Sequence, residues 1–365
     1  MRIAYGIHGY GRGHATRALS VLQSLTARHE VQLFAGGDAY ETLQAYFPVQ
    51  RIPCLGFGYK AGRRSHWQTL RKNLPALSEL MRGGPSLQSV IQAMRRFEPD
   101  AVVCDAEPWT RVAGRRLRIP TIGFDHFGIL VHCRVGLPLR DWFASFIDRF
   151  LYRRLLGGSE RVLVSSFFGA EPRRGGVRVV GPLLGEQVRR LAPVRGQHLL
   201  AYFNQGSAQL SLQALDMLAG LGIEVRLYGL GRVGSLGQLM FRPAHREAFL
   251  DDLASCRAVL STAGNQLMGE AMACAKPILA VPEATVEQRL NAREIVRLGI
   301  GEMLPLSGLT RTSIWSFLER AESYASRAGE LARDGQSEAV AWLERWFVEL
   351  GKSRCAAPMG AVLPA

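Results

Sequence analysis

The chain has 365 residues, 47% of them hydrophobic and 21% charged, and its 45 Lys and Arg against 31 Asp and Glu give a formal charge of +14. That length carries two ordinary domains, the composition excludes a disordered chain, and no apolar run reaches the roughly 18 residues of a membrane-spanning helix. The basic balance points to nucleic acid, an anionic membrane surface or phosphorylated substrates as partners, and an arginine-rich but non-binding surface explains it equally well.

The first residues, MRIAYGI, read as a β-strand and lack the long apolar core of a signal peptide, so a cytoplasmic protein is expected. Short apolar strands then alternate with helical segments. In the first half they fall at 2–7, 31–35, 101–104, 121–124 and 161–164, and in the second at 198–203, 225–228, 258–261 and 277–281. Near-continuous apolar runs between helices predict parallel strands covered on both faces. Two such blocks predict an α/β protein of two Rossmann-like, doubly wound domains facing a central cleft. The break falls at Gly181-Pro182. The expected organisation is a first domain over 1–181, a second over 182–337, a helix over 338–352 that returns to the first domain, and a tail over 353–365. The six cysteines show no C-x-x-C or paired spacing, which predicts free thiols and neither zinc nor disulfides.

The first strand runs into His8-Gly9-Tyr10-Gly11-Arg12-Gly13-His14, where glycines allow a tight turn and a close backbone approach to a ligand. The spacing is G-x-G-x-G, and Asp38 follows a glycine pair instead of ending the second strand, so a dinucleotide fingerprint is not met. Two later segments carry basic and apolar residues interleaved. Over 59–84 these are Lys60, Arg63, Arg64, Arg71, Lys72 and Arg82 among Trp67, Leu70, Leu74, Leu77, Leu80 and Met81; over 141–156 they are Arg149, Arg153 and Arg154 among five aromatics. Both fit amphipathic helices. The first is compatible with a membrane surface or with a packed face, and the second is expected to pack inward.

The stretch from Ser261 to Gly301 is the richest. It reads as a strand end, a turn at Ala263-Gly264-Asn265, a helix carrying Glu270, a buried strand, and a second helix carrying Gln288 and Asn291. Such a set suits a sugar nucleotide: Glu270 can accept both ribose hydroxyls, a helix N-terminus favours the diphosphate, and the amides can hold sugar hydroxyls. A carboxylate among small and apolar residues also needs a partner.

The order G-x5-E, A-K-P-I-L-A-V-P, E-Q-x2-N-A and L-G-I-G resembles the donor-binding half of GT-B glycosyltransferases. It is most similar to the group containing the lipid-II-forming N-acetylglucosaminyltransferase of peptidoglycan synthesis and its uncharacterised relatives. The resemblance extends to the G-x-G-H element at Gly11, Gly13 and His14. It implies that His14 is the general base toward an acceptor hydroxyl, oriented by Asp105, with His8 and His126 near the acceptor or phosphate. It implies donor contacts from Gly206 and Ser207, Gly264 and Asn265, Glu270, Gln288 and Asn291. For His14, Asp105 and His126 a helix-capping or purely structural role is the alternative. The activity implied is inverting transfer of a sugar from a nucleotide-diphosphate sugar, UDP by default, to a hydroxyl acceptor, with a lipid or cell-envelope glycan among the candidates. No cofactor or metal is implied beyond the nucleotide-sugar co-substrate, and no nucleic-acid partner. Two alternatives stay open: a sugar-nucleotide epimerase on the same fold, and a basic protein that binds nucleic acid or an anionic surface.

Overall fold

The computed structural model describes residues 1–60, 63–204, 206 and 209–356. Two seven-stranded sheets organise them. The first sheet runs in spatial order Val177–Val180, Arg161–Ser165, Thr121–Asp125, Ala101–Asp105, Arg2–Ile7, Glu30–Ala35 and Val49–Arg51, all parallel. The second runs Gly234–Leu236, Leu239–Phe241, Val225–Tyr228, Leu199–Tyr202, Ala258–Ser261, Ile278–Ala280 and Gly301–Met303, parallel except for its first pair. The fold is therefore the α/β pair of Rossmann-like domains that the alternating pattern predicts.

The strands Val49–Arg51, Gly234–Leu236, Leu239–Phe241 and Gly301–Met303 carry no sequence signal of their own. Each is three residues long, and all but Leu239–Phe241 lie at a sheet edge, where one side of the ladder needs no partner. All three residues of the end strand Gly234–Leu236 are exposed.

Both sheets change direction at a central strand, and this fixes the site. Arg2–Ile7 lies between Glu30–Ala35 and Ala101–Asp105, with Ile7 opposite Asp105. Leu199–Tyr202 lies between Val225–Tyr228 and Ala258–Ser261, with Tyr202 opposite Ser261. Loops leaving adjacent strands in opposite directions open a crevice at the carboxyl ends. The two crevices face each other.

The domains share a dry core. Ile129, Val164, Phe167 and Phe168 of the first pack in one cluster with Leu267, Met268, Val286 and Leu290 of the second. The helix Gln336–Ala356 lies on the first sheet, burying Ala339, Leu343, Trp346 and Phe347 against Ile3, Tyr5 and Leu22. It runs beyond the 352 expected from sequence, and 357–365 lie outside the described residues. The two chain crossings between domains run side by side, with Gly335 donating its N–H to Pro182 O at 2.9 Å.

Candidate functional site

A cleft of about 1020 Å³ lies between the two sets of strand ends. On the first-domain side the turn after Ile7 is fixed by backbone and by Asp38. Asp38 N donates to Gly9 O at 2.9 Å, and Asp38 Oδ2 accepts from Gly11 N at 3.0 Å. Asp38 thus shapes the loop instead of meeting a ribose. Gly11 needs its glycine, since φ is +82°. Gly13 opens the helix Gly13–Thr26 opposite Gln266 of the second domain.

His14 and Asp105 come together because their elements leave neighbouring strand ends. His14 Nδ1 is 2.8 Å from Asp105 Oδ1. The carboxylate is completely buried, while the imidazole is 22% exposed and lines the cleft. Asp105 is not the cap of the following helix; Glu107 caps it, accepting from Trp109 N and Thr110 N.

A third member was not anticipated. Arg17 Nε donates to Asp105 Oδ2 at 3.1 Å, Arg17 Nη2 pairs with Oδ1, and the same Nη2 lies 2.9 Å from His14 Nδ1. Burial pushes the Asp105 carboxyl up, but Arg17 and His14 more than offset it and hold it below its ordinary value. A guanidinium only donates and a carboxylate only accepts. So Nδ1 either carries hydrogen and donates to Asp105, which leaves Nε2 as a proton acceptor, or is bare and faces Arg17. The first tautomer is the one able to act as base. Arg17 stands three residues after His14 on one helix, a spacing that places both on one face; that was the available signal.

His8 is half-buried and stacks edge-on against His14, with ring centroids 5.1 Å apart. Burial, then the neighbouring His14, push its pKa down to about 3, so it lines the cleft as a neutral ring.

His126 lines the cleft as a ring held on both nitrogens, and Asn291 is turned away from any ligand. His126 is 5% exposed, with Nδ1 2.8 Å from Ser165 O and Nε2 3.0 Å from Asn291 Oδ1. Asn291 is fully buried, and its Nδ2 donates to Ala263 O at 2.9 Å and to Glu287 Oε1 at 2.7 Å. Both of its N–H groups are spent within the protein, so it has no donor for a sugar. The pair ties the domains and pins the turn at Ala263, whose φ is +63°. Asn265 does similar work, accepting from Phe167 N at 3.0 Å and donating to Ser165 O at 3.2 Å, which ties its side chain to the first domain while it lines the cleft. In each case an amide that looks ligand-facing in sequence crosses to a domain that sequence spacing cannot show.

The donor side retains its other groups. Gly264 heads the helix Asn265–Ala273 with no side-chain cap, and its Cβ position is empty, so the first-turn N–H groups are open to an anion in the cleft. Gly206 has φ +49°, and a Cβ there would meet Gly229 O at 2.6 Å, so only glycine fits the turn. Ser207 lies outside the described residues. Gln288 lines the cleft and accepts from Glu283 N at 2.8 Å. Glu287 is beside it, and burial lifts its carboxyl to about 7.

Glu270 is 2% exposed at the cleft wall, and its partner is Arg246. The guanidinium is bidentate, with Nη2 to Oε1 at 2.7 Å and Nη1 to Oε2 at 3.2 Å, and Gln266 Nε2 adds a third bond to Oε1 at 3.1 Å. Arg246 opens a helix 24 residues earlier; no local spacing links the two.

A model of glycosyl transferase family 1 matches residues 1–321. The chain belongs to that family. An uncharacterized glycosyltransferase of Methanosarcina acetivorans is 25% identical over 84% of this chain and 86% of its own length. Among solved structures, Phytolacca americana UGT2, complexed with UDP-2-fluoroglucose and pterostilbene, covers 95% of this chain and 98% of its own at 15% identity, with a TM-score of 0.64. MurG of Acinetobacter baumannii covers 94% and 99% at 16% identity, with a TM-score of 0.59. The fold is GT-B, and this family 1 member is a glycosyltransferase.

Proposed function

We propose that the cleft transfers a sugar from a nucleoside diphosphate sugar to a hydroxyl acceptor. The diphosphate would lie on the uncapped N-terminus of Asn265–Ala273, the nucleoside's pentose against Glu270, and the sugar near Gln288. The observation that carries the reading is the pairing of His14 with a buried, ionised Asp105 directly across the cleft from that helix. His14 Nε2 would remove the acceptor proton as its oxygen attacks the anomeric carbon, a single displacement that inverts it. The uncapped N–H groups would take charge from the leaving diphosphate, so turnover would persist in chelator.

Thermal stabilisation by a panel of nucleoside diphosphates, compared with Glu270→Ala, tests the donor site. Stabilisation lost in the variant supports it. Conversion of donor alone into an isomer would count for an epimerase instead.

A surface feature supports a lipid-linked acceptor at an anionic membrane. The inward packing expected for 141–156 holds for Tyr152, which is buried and donates to Asp125 Oδ2 at 2.7 Å, but not for the other four aromatics. On the helix Trp142–Leu156 the side chains of Trp142, Phe143, Phe146 and Phe150 are 55–77% exposed. Arg149 on the same helix is pushed below its ordinary pKa by burial and by the like charges of Arg173 and Arg153. Aromatics beside crowded cations suit an interface that supplies both hydrocarbon and phosphate. The helix His66–Arg82 also exposes Trp67, Leu70, Leu74 and Met81. Among the described residues no helix is long and apolar enough to cross a membrane; the contact would be peripheral.

A further inference from the structure

Glu270 is not an empty carboxylate waiting for a ribose. An ionised carboxylate offers about four acceptor positions, about two on each oxygen. Arg246 Nη2 and Gln266 Nε2 occupy Oε1, and Arg246 Nη1 occupies one position of Oε2. Among the described residues one position, on Oε2, is left. Gln266 cannot supply another from its present pose, because its Oε1 is enclosed and its Nε2 is already shared between Glu270 and Leu183 O. Displacing Arg246 is costly, since it would strip a forked, charge-assisted pair from a carboxylate that is 2% exposed.

Ribose presents two hydroxyl donors on adjacent carbons, and 2′-deoxyribose presents one. We propose that Arg246 restricts the donor to 2′-deoxynucleoside diphosphate sugars, by leaving Glu270 room for the 3′-hydroxyl alone. The inference rests on the donor-site reading above and narrows its substrate class. The 2′-hydroxyl of a ribonucleotide would enter a wall where, among the described residues, the remaining Glu270 acceptors are taken and Gln266 Oε1 is unpaired but enclosed, and would lose a water partner without replacement. A 2′-methylene leaves nothing unpaired.

The test uses the full chain and two ligands that differ by one hydroxyl. Titration calorimetry compares 2′-deoxyuridine diphosphate with UDP in wild type, in Arg246→Met and in Arg246→Lys. In wild type the deoxy ligand binds about tenfold more tightly. In Arg246→Met, where both Glu270 oxygens gain a free position, the gap closes or reverses; Arg246→Lys, which replaces the fork by a point charge, narrows it and serves if the methionine variant does not fold. UDP binding as tightly as the deoxy ligand in wild type overturns the proposal and leaves the donor site standing. A deoxy preference that persists in both variants overturns the role given to Arg246. Failure of both ligands to bind wild type overturns the donor-site reading itself.

Discussion

Asp105 Oδ1 lies 2.8 Å from His14 Nδ1 although the two residues are 91 positions apart, because Ile7 and Asp105 are register partners on adjacent parallel strands. The loop that leaves one strand therefore starts its helix beside the end of the other. If Nε2 of that histidine is the base, His14→Ala lowers turnover by about 10²–10⁴ and leaves nucleotide affinity unchanged. Steady-state turnover with calorimetry on the same preparation checks both halves.

Arg17 holds Asp105 ionised and sets a second charge against His14. Replacing it by methionine removes the guanidinium that offsets the burial of Asp105, so the Asp105 carboxyl rises and its hold on His14 weakens. Turnover then falls with nucleotide affinity unchanged, and Arg17→Lys restores part of it. Arg17→Met also leaves a buried carboxylate without its guanidinium, costing about 3–5 kcal/mol of stability. Unchanged turnover in Arg17→Met would reduce Arg17 to packing.

Asn291 separates a structural tie from a sugar contact. Asn291→Ala removes the bonds to His126, Ala263 and Glu287 and is expected to cost about 1–3 kcal/mol in denaturant unfolding. A raised donor KM with unchanged stability would instead mean that the side chain meets the sugar.

Glu287 gives a pH signature. Its carboxyl is raised from 4.5 to about 7 by burial. The folded chain therefore binds more protons than the unfolded chain between those values, and the stability this provides at low pH is lost as pH rises through 7. Glu287→Gln cannot ionise and escapes the loss. The stability of the variant minus that of wild type should grow by on the order of 2–3 kcal/mol between pH 4.5 and pH 8 in urea unfolding. Parallel curves would contradict the assignment.

The exposed aromatics of Trp142–Leu156 predict a separation of binding from stability. Phe143→Asp with Phe146→Asp should change unfolding by less than about 1 kcal/mol, as both side chains are in solvent. Co-sedimentation with vesicles containing anionic lipid should fall sharply. Equal pelleting of variant and wild type at low salt would dismiss the membrane surface.

The sheet strands were legible where apolar runs were long and buried, as in Arg2–Ile7 and Ala258–Ser261, but their spatial order was not. The placement of His14 and Glu270 at the cleft was legible too, since they stand at a glycine-rich strand-to-helix turn and at a polar position inside an apolar helix. What sequence hid was the partner of each buried charge. Arg246 reaches Glu270, and Asn291 reaches His126, across tertiary contacts with no spacing rule. Exposure was hidden for a related reason: the aromatic period of Trp142–Leu156 is the same whether its face meets a core or water.

The most direct measurement is a crystal structure of the full chain with a bound nucleoside diphosphate. The account predicts the diphosphate on the N-terminus of Asn265–Ala273, the pentose against Glu270, and the β-phosphate end pointing across the cleft toward His14. A nucleotide bound outside the cleft, or in it with its phosphates turned away from that helix, would contradict it.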